Sequence, residues 1–459
     1  MTVSQRAADF LDSLCFGESR TMLASDLYAE QKEYNSWLLE DSKIVESISS
    51  ISSGAAFRTV HRDFPCSSIS FRSGANISRA LSCVNELRND DVAKRPAAYF
   101  SGTGDDAIFD EREPLPNEFP SILRDIDAML RSASTLVRQV TLRFDTGTKE
   151  KLVYPENRCI RNETTTGTSF SIHVTVSDEN GAQTASDLVA SAAGQTRFLR
   201  DNDLSLRAVI VLERAVALLR APKCPAGHFP VLLSGRTGGT MIHEACGHGL
   251  EADIVMKDFS TFRDRIGTSV ASPEVSIVDD PTLPSVFGGY RFDDEGTEAQ
   301  RTLLIDKGVL VTYLTDRDTS ARMHLPLSGN GRRASFRHPP IPRMSATFLL
   351  PGKETEQNLL QDMDSGLYVT RLGGGEVDPT TGDFVFQVTE GFRVRSGKIG
   401  HPIRGALLIG NGPQVLQSIA GVGADMELFP GYCGKEGQDV PVSDGQPALL
   451  IPDLIVGGE

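Results

Sequence analysis

A strand-like run that ends in a glycine-rich turn and opens directly into a helix with two histidines constrains this chain more than any other stretch. Residues 229–250 read Phe-Pro-Val-Leu-Leu-Ser-Gly-Arg-Thr-Gly-Gly-Thr-Met-Ile-His-Glu-Ala-Cys-Gly-His-Gly-Leu. The first six predict a short buried strand, and Gly235 to Gly239 a turn. Thr240 is expected to cap the helix, its hydroxyl accepting from an orphaned N–H. The helix then presents His243, Glu244 and His248 as H-E-x-x-x-H. In the metal-binding pattern H-E-x-x-H the histidines stand four apart on one face. Here they stand five apart, which on a regular helix leaves them about 140° apart, too far to share an ion. One extra residue in the turn, a π-bulge, closes the gap, and such bulges gather at functional sites. Gly247 can absorb the distortion, at a cost of about 1 kcal/mol against alanine.

At 459 residues the chain is long enough for at least two domains with cores of their own. A net charge of −15, without Lys/Arg clusters, argues against a nucleic-acid backbone as partner. No run approaches the roughly 18 apolar residues of a membrane span, and Asp9 and Asp12 interrupt the only apolar run near the N-terminus. The seven cysteines are scattered and odd in number, with no C-x-x-C, which predicts reduced thiols in a cytoplasmic protein.

The periodicity predicts an α+β fold. Residues 1–225 are expected to pack helices on an antiparallel sheet, and 226–459 to form a β-rich domain around the histidine helix. Helices are expected at 3–16, from Asn76, from Ser121 to about Leu136, and over 204–219. The acidic stretch 101–120 reads as a surface loop. A β-meander is expected over 27–71, with strands near 140–144, 151–154 and 169–176, the last turning at Glu179-Asn-Gly181. Arg220 to Gly227, with two prolines, is the best linker. In the second half, 303–314 reads as a hairpin turning at 306–308 and Glu354–Met363 as a short helix. Phe384–Val388 and Phe392–Ile399 read as paired strands, the second turning at Ser396-Gly-Lys398.

A catalytic zinc takes three protein ligands and keeps a fourth position open. His243 and His248 supply two. Spacing leaves the third open among Cys246, Cys224, His228, Glu295, Asp293 and Cys433. Cys246 lies between the histidines, where short helical spacing strains it as a simultaneous ligand, so packing is its expected role. Glu244, early in its helix, is placed to take a proton from water activated at such a site. Arg332 and Arg333 fit structural ion pairs or a substrate carboxylate. The glycine-rich stretches Ser328-Gly-Asn-Gly331, Gly373-Gly-Gly375 and Leu408 to Pro413 lack the residues of a phosphate loop and read as tight turns.

The segment Gly239 to Glu251 resembles the H-E-x-x-x-H motif of the TldD family of zinc metalloproteases. Phe292-Asp-Asp-Glu-Gly-Thr297, Ser328-Gly-Asn-Gly-Arg-Arg333, Pro342-Arg-Met344, Leu350-Pro-Gly-Lys353, Gly373-Gly-Gly375 and Cys433-Gly-Lys-Glu-Gly-Gln438 are similar to that family's blocks, in the same order. The ending, Gly445-Gln-Pro447 to Val456-Gly-Gly458, follows suit. The resemblance is strong from residue 229 onward and weaker before it. It implies a zinc ion held by His243, His248 and Cys433, with Glu244 as general base. It also implies a TldE/PmbA-type paralogous subunit as partner, closing a cavity that admits unfolded polypeptides or peptides, for peptide processing or antitoxin degradation. A non-catalytic binding protein of the DNA gyrase modulator type is the alternative. The intact ligand set with Glu244 weighs against it.

Overall fold

The computed structural model describes residues 22–61, 68–73, 119–155, 161–179 and 181–458. The helices expected at 3–16 and from Asn76, nearly all of the stretch 101–120, and Cys15, Cys66, Cys83 and Cys159 lie outside them. The fold is α+β, as expected.

The first sheet is a six-stranded antiparallel meander in the order β3-β2-β1-β4-β5-β6. Its strands are β1 (Met22–Glu40), β2 (Lys43–His61), β3 (Ser68–Ser73), β4 (Val137–Pro155), β5 (Arg161–Asp178) and β6 (Gly181–Ser191). The two short runs expected at 140–144 and 151–154 are one strand, β4, because the whole segment pairs with both β1 and β5. Val140, Leu142 and Phe144 alternate onto one face and meet Trp37, Phe170 and Ile172. That face is covered by α1 (Phe119–Ala133) and α3 (Leu204–Arg220), with the short α2 (Gln195–Asp201) between β6 and α3. Phe119, Leu123, Ile126 and Leu130 fall at helical spacing along the buried stripe of α1. Asp203 starts α3 by accepting from Leu206 N at 2.9 Å.

The second sheet has eleven strands: β7 (Gly227–Leu233), β8 (Ile277–Asp279), β9 (Thr302–Asp306), β10 (Val309–Leu310), β13 (Ala346–Leu349), β14 (Gly366–Val377), β15 (Asp383–Arg395), β16 (Lys398–Ile403), β17 (Leu407–Asn411), β18 (Gly421–Lys435) and β19 (Gln438–Gly457). The short pair β11 (Gly331–Arg332) and β12 (Ile341–Pro342) stands apart from it. Strand β19 pairs with β7 as well as with β17, so β7, β14, β15, β17 and β19 close into a ring. Val231, Leu233, Val369 and Phe386 from this ring share one core with Ile242, Ala245 and Cys246. The histidine helix is thereby fixed against the barrel.

Two expectations differ from the structure. Phe384–Val388 and Phe392–Ile399 are not partners. Residues 383–395 form the single strand β15, paired with β14 and β17, and shifts in β14 between Val369 and Gly375 absorb the irregularity. The turn at Ser396-Gly397 does form, with both residues at positive φ. The stretch from Arg220 to Gly227 is itself held: Cys224 N donates to Arg404 O, Arg404 N donates to Pro222 O, and Cys224 is buried. Thr240 does not cap its helix: the cap position is Gly239, and no side-chain cap bond forms. The helix expected over Glu354–Met363 spans Glu356–Met363, and the hairpin at 306–308 turns as expected.

The two sheets are joined by buried charge. Arg58 from β2 lies between Asp26 and Glu295, and Arg333 reaches Asp26 at 3.1 Å. Lys151 from β4 bonds to Asp294 at 3.0 Å, and Glu30 accepts from Phe336 N. Arg332 is also bound internally, to the Met344 and Pro441 carbonyls. Both arginines therefore serve structure.

Candidate metal centre

The histidine helix is built from three kinds of turn: α over Thr240–Ile242, π over His243–Gly247 and 3-10 over His248–Leu250. The irregularity that the five-residue spacing predicts lies between the two histidines. His248 N donates to the His243 carbonyl, a bond one residue longer than in an α-helix. This extra residue swings both imidazoles to the same side, with ring centroids 5.0 Å apart and nearly perpendicular. Gly247 itself has ordinary helical angles, φ −54° and ψ −56°. It must be glycine for another reason: a Cβ there would lie 2.1 Å from Met344 Sδ.

The third side chain arrives on the long hairpin of β18 and β19. The hairpin turns at Glu436-Gly437, both at positive φ, and Cys433 pairs with Val440. Cys433 Sγ lies 3.3 Å from His243 Nε2 and 3.4 Å from His248 Nε2. Ligand-type atoms of the three residues all fall within 4.8 Å of one another. Metal bonds of about 2.0 Å to nitrogen and 2.3 Å to sulfur at tetrahedral angles put N and S roughly 3.6 Å apart. The donor set therefore fits a small cation of borderline softness.

Each imidazole is oriented by a carboxylate. Asp444 on β19 accepts from His243 Nδ1 at 2.7 Å, and Glu251 accepts from His248 Nδ1 at 2.9 Å. Both rings thus direct Nε2 at the thiol, the arrangement that fixes metal-binding histidines. Burial opposes charge on every member of the set, and the neighbours overcome it. The Cys433 thiol is brought down to about 5 by His243 and His248. His248 is raised to about 9, mainly by Glu251, and His243 is raised well above its usual value by Asp444. Glu251 is held at about 2 by Lys435 and His248. The carboxylates thus favour charge on the imidazoles, and the imidazoles favour the thiolate.

Glu244 follows His243 in the same π-turn. It is half-buried, and among the described residues its carboxylate has no hydrogen-bond partner. It lines a cleft of about 250 Å³ with His243, Arg236, Arg371, Phe429 and Tyr432. The rival residues lie elsewhere. Cys246 is fully buried, donates to Ile242 O at 3.2 Å, and burial pushes its thiol up to about 12. Cys224 bonds to Pro225 O, His228 faces Asp453, and Glu295 and Asp293 belong to the contacts between the sheets and the loops beside them. Sequence reasoning missed Asp444, Glu251, Lys435 and Arg343. Glu251, three residues after His248, and Lys435, two after Cys433 on a strand, carried a spacing signal. Asp444 carried none.

Residues 226–458 match the PmbA/TldA metallopeptidase C-terminal domain. A Haemophilus influenzae metalloprotease TldD homolog is 34% identical over 448 residues, covering 95% of this chain and 92% of its own. A zinc metalloprotease TldD homolog of Saccharolobus solfataricus is 32% identical over 249 residues, 54% of this chain and 55% of its own. Among solved structures, TldE from Thermococcus kodakarensis superposes with TM-score 0.71 at 15% identity, covering 100% of both chains. A Thermotoga maritima protein, provisionally described as a modulator of a DNA gyrase, gives 0.74 at 18% identity and 99% coverage of each. At such identities these two speak for the fold alone.

Proposed function

The chain belongs to the PmbA/TldD family of metallopeptidases, and from that premise we propose that it is a zinc-dependent peptidase. In this reading His243, His248 and Cys433 hold the zinc and Glu244 is the general base. One observation carries it. Three ligand-type side chains converge on one point, and an unpartnered carboxylate from the same helical turn faces the adjoining cleft.

Zinc, when bound, supplies a Lewis acid that acidifies water and polarises a carbonyl. The protein's own residues do the rest. Asp444 and Glu251 keep both Nε2 atoms turned inward, so the ligands need little rearrangement to bind. Glu244 takes the proton of the attacking water and returns it to the leaving amine. In this reading the substrates are peptides and unfolded polypeptides, reached through the cleft beside Glu244, in peptide processing or antitoxin degradation. Residues 226–459 form the catalytic domain in this reading, and 1–225 the α+β domain packed against it. A TldE/PmbA-type subunit is the partner that closes the cavity, supported by the shared fold of TldE. A cytoplasmic location suits the three described cysteines, all free. Among the described residues no helix is long and apolar enough to cross a membrane.

The test is metal analysis of the purified chain with a peptide-cleavage assay, alone and with a TldE-type subunit. His243→Ala and Cys433→Ala should strip the zinc. Glu244→Gln should keep the zinc and lose turnover by about 10²-fold or more, the usual contribution of a general base. A Glu244→Gln protein without zinc would make Glu244 a ligand, and one with near-normal turnover would place the base elsewhere.

A further inference from the structure

Glu251 is fully buried, and its two oxygens are shared among three segments of the chain. Oε2 accepts from His248 Nδ1 at 2.9 Å and from Lys435 Nζ at 3.0 Å. Oε1 accepts from Met344 N at 3.3 Å, with Arg343 Nε 4.0 Å away. Lys435 is itself buried, and its ammonium also donates to Asp253 Oδ1 at 2.7 Å and to the Pro342 carbonyl at 3.0 Å. An ammonium has three donors, and here three acceptors meet them. Lys435 stands two residues after Cys433 on β18, so its side chain leaves the strand on the same face as the thiol.

We propose that Lys435 is a positioning residue for the metal centre. It ties the hairpin that carries Cys433 to the carboxylate that orients His248. The separation of thiol and imidazole is then set by one buried ion pair rather than by two independent elements. An exposed pair, Lys257–Glu436, also touches the hairpin tip, but such pairs contribute little. Arg343 also holds this hairpin. It donates to the carbonyls of Cys433 and Gln438, fixing the backbone of the same hairpin.

The inference rests on the reading of His243, His248 and Cys433 as zinc ligands, and its test separates the two. The full-length chain is stripped of metal, and its affinity for Zn²⁺ is measured by chelator competition. Co²⁺ absorption spectra report the ligand geometry. Lys435→Met, similar in length but uncharged, should weaken Zn²⁺ binding by about 10- to 100-fold and alter the Co²⁺ bands, while circular dichroism stays native. Glu251→Gln should do the same. Because Lys435 acts through Glu251, the double variant should be no weaker than the weaker single. Should Lys435→Met fail to fold, Lys435→Gln carries the same comparison, since it keeps a donor but loses the charge. A folded variant with wild-type Zn²⁺ affinity and Co²⁺ spectrum overturns the proposal, even if its melting temperature falls. So do single effects that multiply in the double variant. A wild-type chain that binds no Zn²⁺ would instead refute the ligand reading beneath it.

Discussion

Gly247→Ala probes whether the π-turn and its packing set the metal geometry. The added Cβ would lie 2.1 Å from Met344 Sδ and 3.0 Å from its Cε, where ordinary contact begins at 3.4 Å. More than an ångström of movement is therefore needed. The Met344 side chain is flexible but fully buried, so it can yield only by repacking its neighbours. Inserting a methyl into such a core costs about 1–3 kcal/mol. Alanine in place of glycine in a helix returns about 0.5–1 kcal/mol. The net loss is about 1–2 kcal/mol. Unwinding the π-turn relieves this strain most directly, and that motion parts the two histidines. If the strain is released in this way, zinc affinity falls roughly 5- to 30-fold, at about 1.4 kcal/mol per decade. Chelator competition measures it. In the double variant Gly247→Ala with Met344→Ala, the methyl has space, and affinity should recover relative to Gly247→Ala alone. Unchanged zinc affinity and stability in Gly247→Ala, or strictly additive effects in the double variant, would refute the reasoning.

Two further outcomes test the rest of the structure. Arg58→Met leaves Asp26 and Glu295 without their shared buried cation, and should destabilise the protein by about 3–5 kcal/mol, read by calorimetry. Asp316 is raised from 3.8 to about 8 by burial and by Glu295. The folded state therefore holds this proton more tightly than the unfolded chain, and stability falls as pH rises from about 4 to about 8. Asp316→Asn, still able to cap the helix Arg317–Met323, should flatten that fall; an unchanged slope of melting temperature against pH would count against it.

The parts of this architecture that could be read from sequence are those written in local spacing. The five-residue gap between His243 and His248 demanded an irregular helix, because helical geometry admits no other way to bring the rings together. Turns such as Lys307-Gly308 and Ser396-Gly397 were legible because positive φ selects their residues. Where packing decides, the reading went astray. Gly247 is required by a sulfur almost a hundred residues later, not by its own backbone. The break expected between Val388 and Phe392 does not form, because β14 and β16 pair alongside and carry the segment through as strand. The third member of the centre, Cys433, was one of six alternatives until family resemblance selected it. Asp444, which orients His243, belongs to a strand whose alternation gives no hint of it. The buried charge of Arg58 meets Glu295 across 237 residues and that of Lys151 meets Asp294 across 143, and no local pattern encodes such pairings.

The hairpin of β18 and β19 also bears on the order of events during synthesis. His243 and Cys433 are separated by 190 residues, and His243 and Asp444 by 201. A ribosome therefore completes the histidine helix long before the thiol that faces it. In the interval the growing polypeptide carries two histidines and Glu244 but no third donor. The long-range strand pairing that delivers Cys433 belongs to the slow, non-local class of folding events. In the proposed reading, a peptidase centre assembled this late would stay latent while unfolded nascent chain, the proposed substrate class, surrounds it.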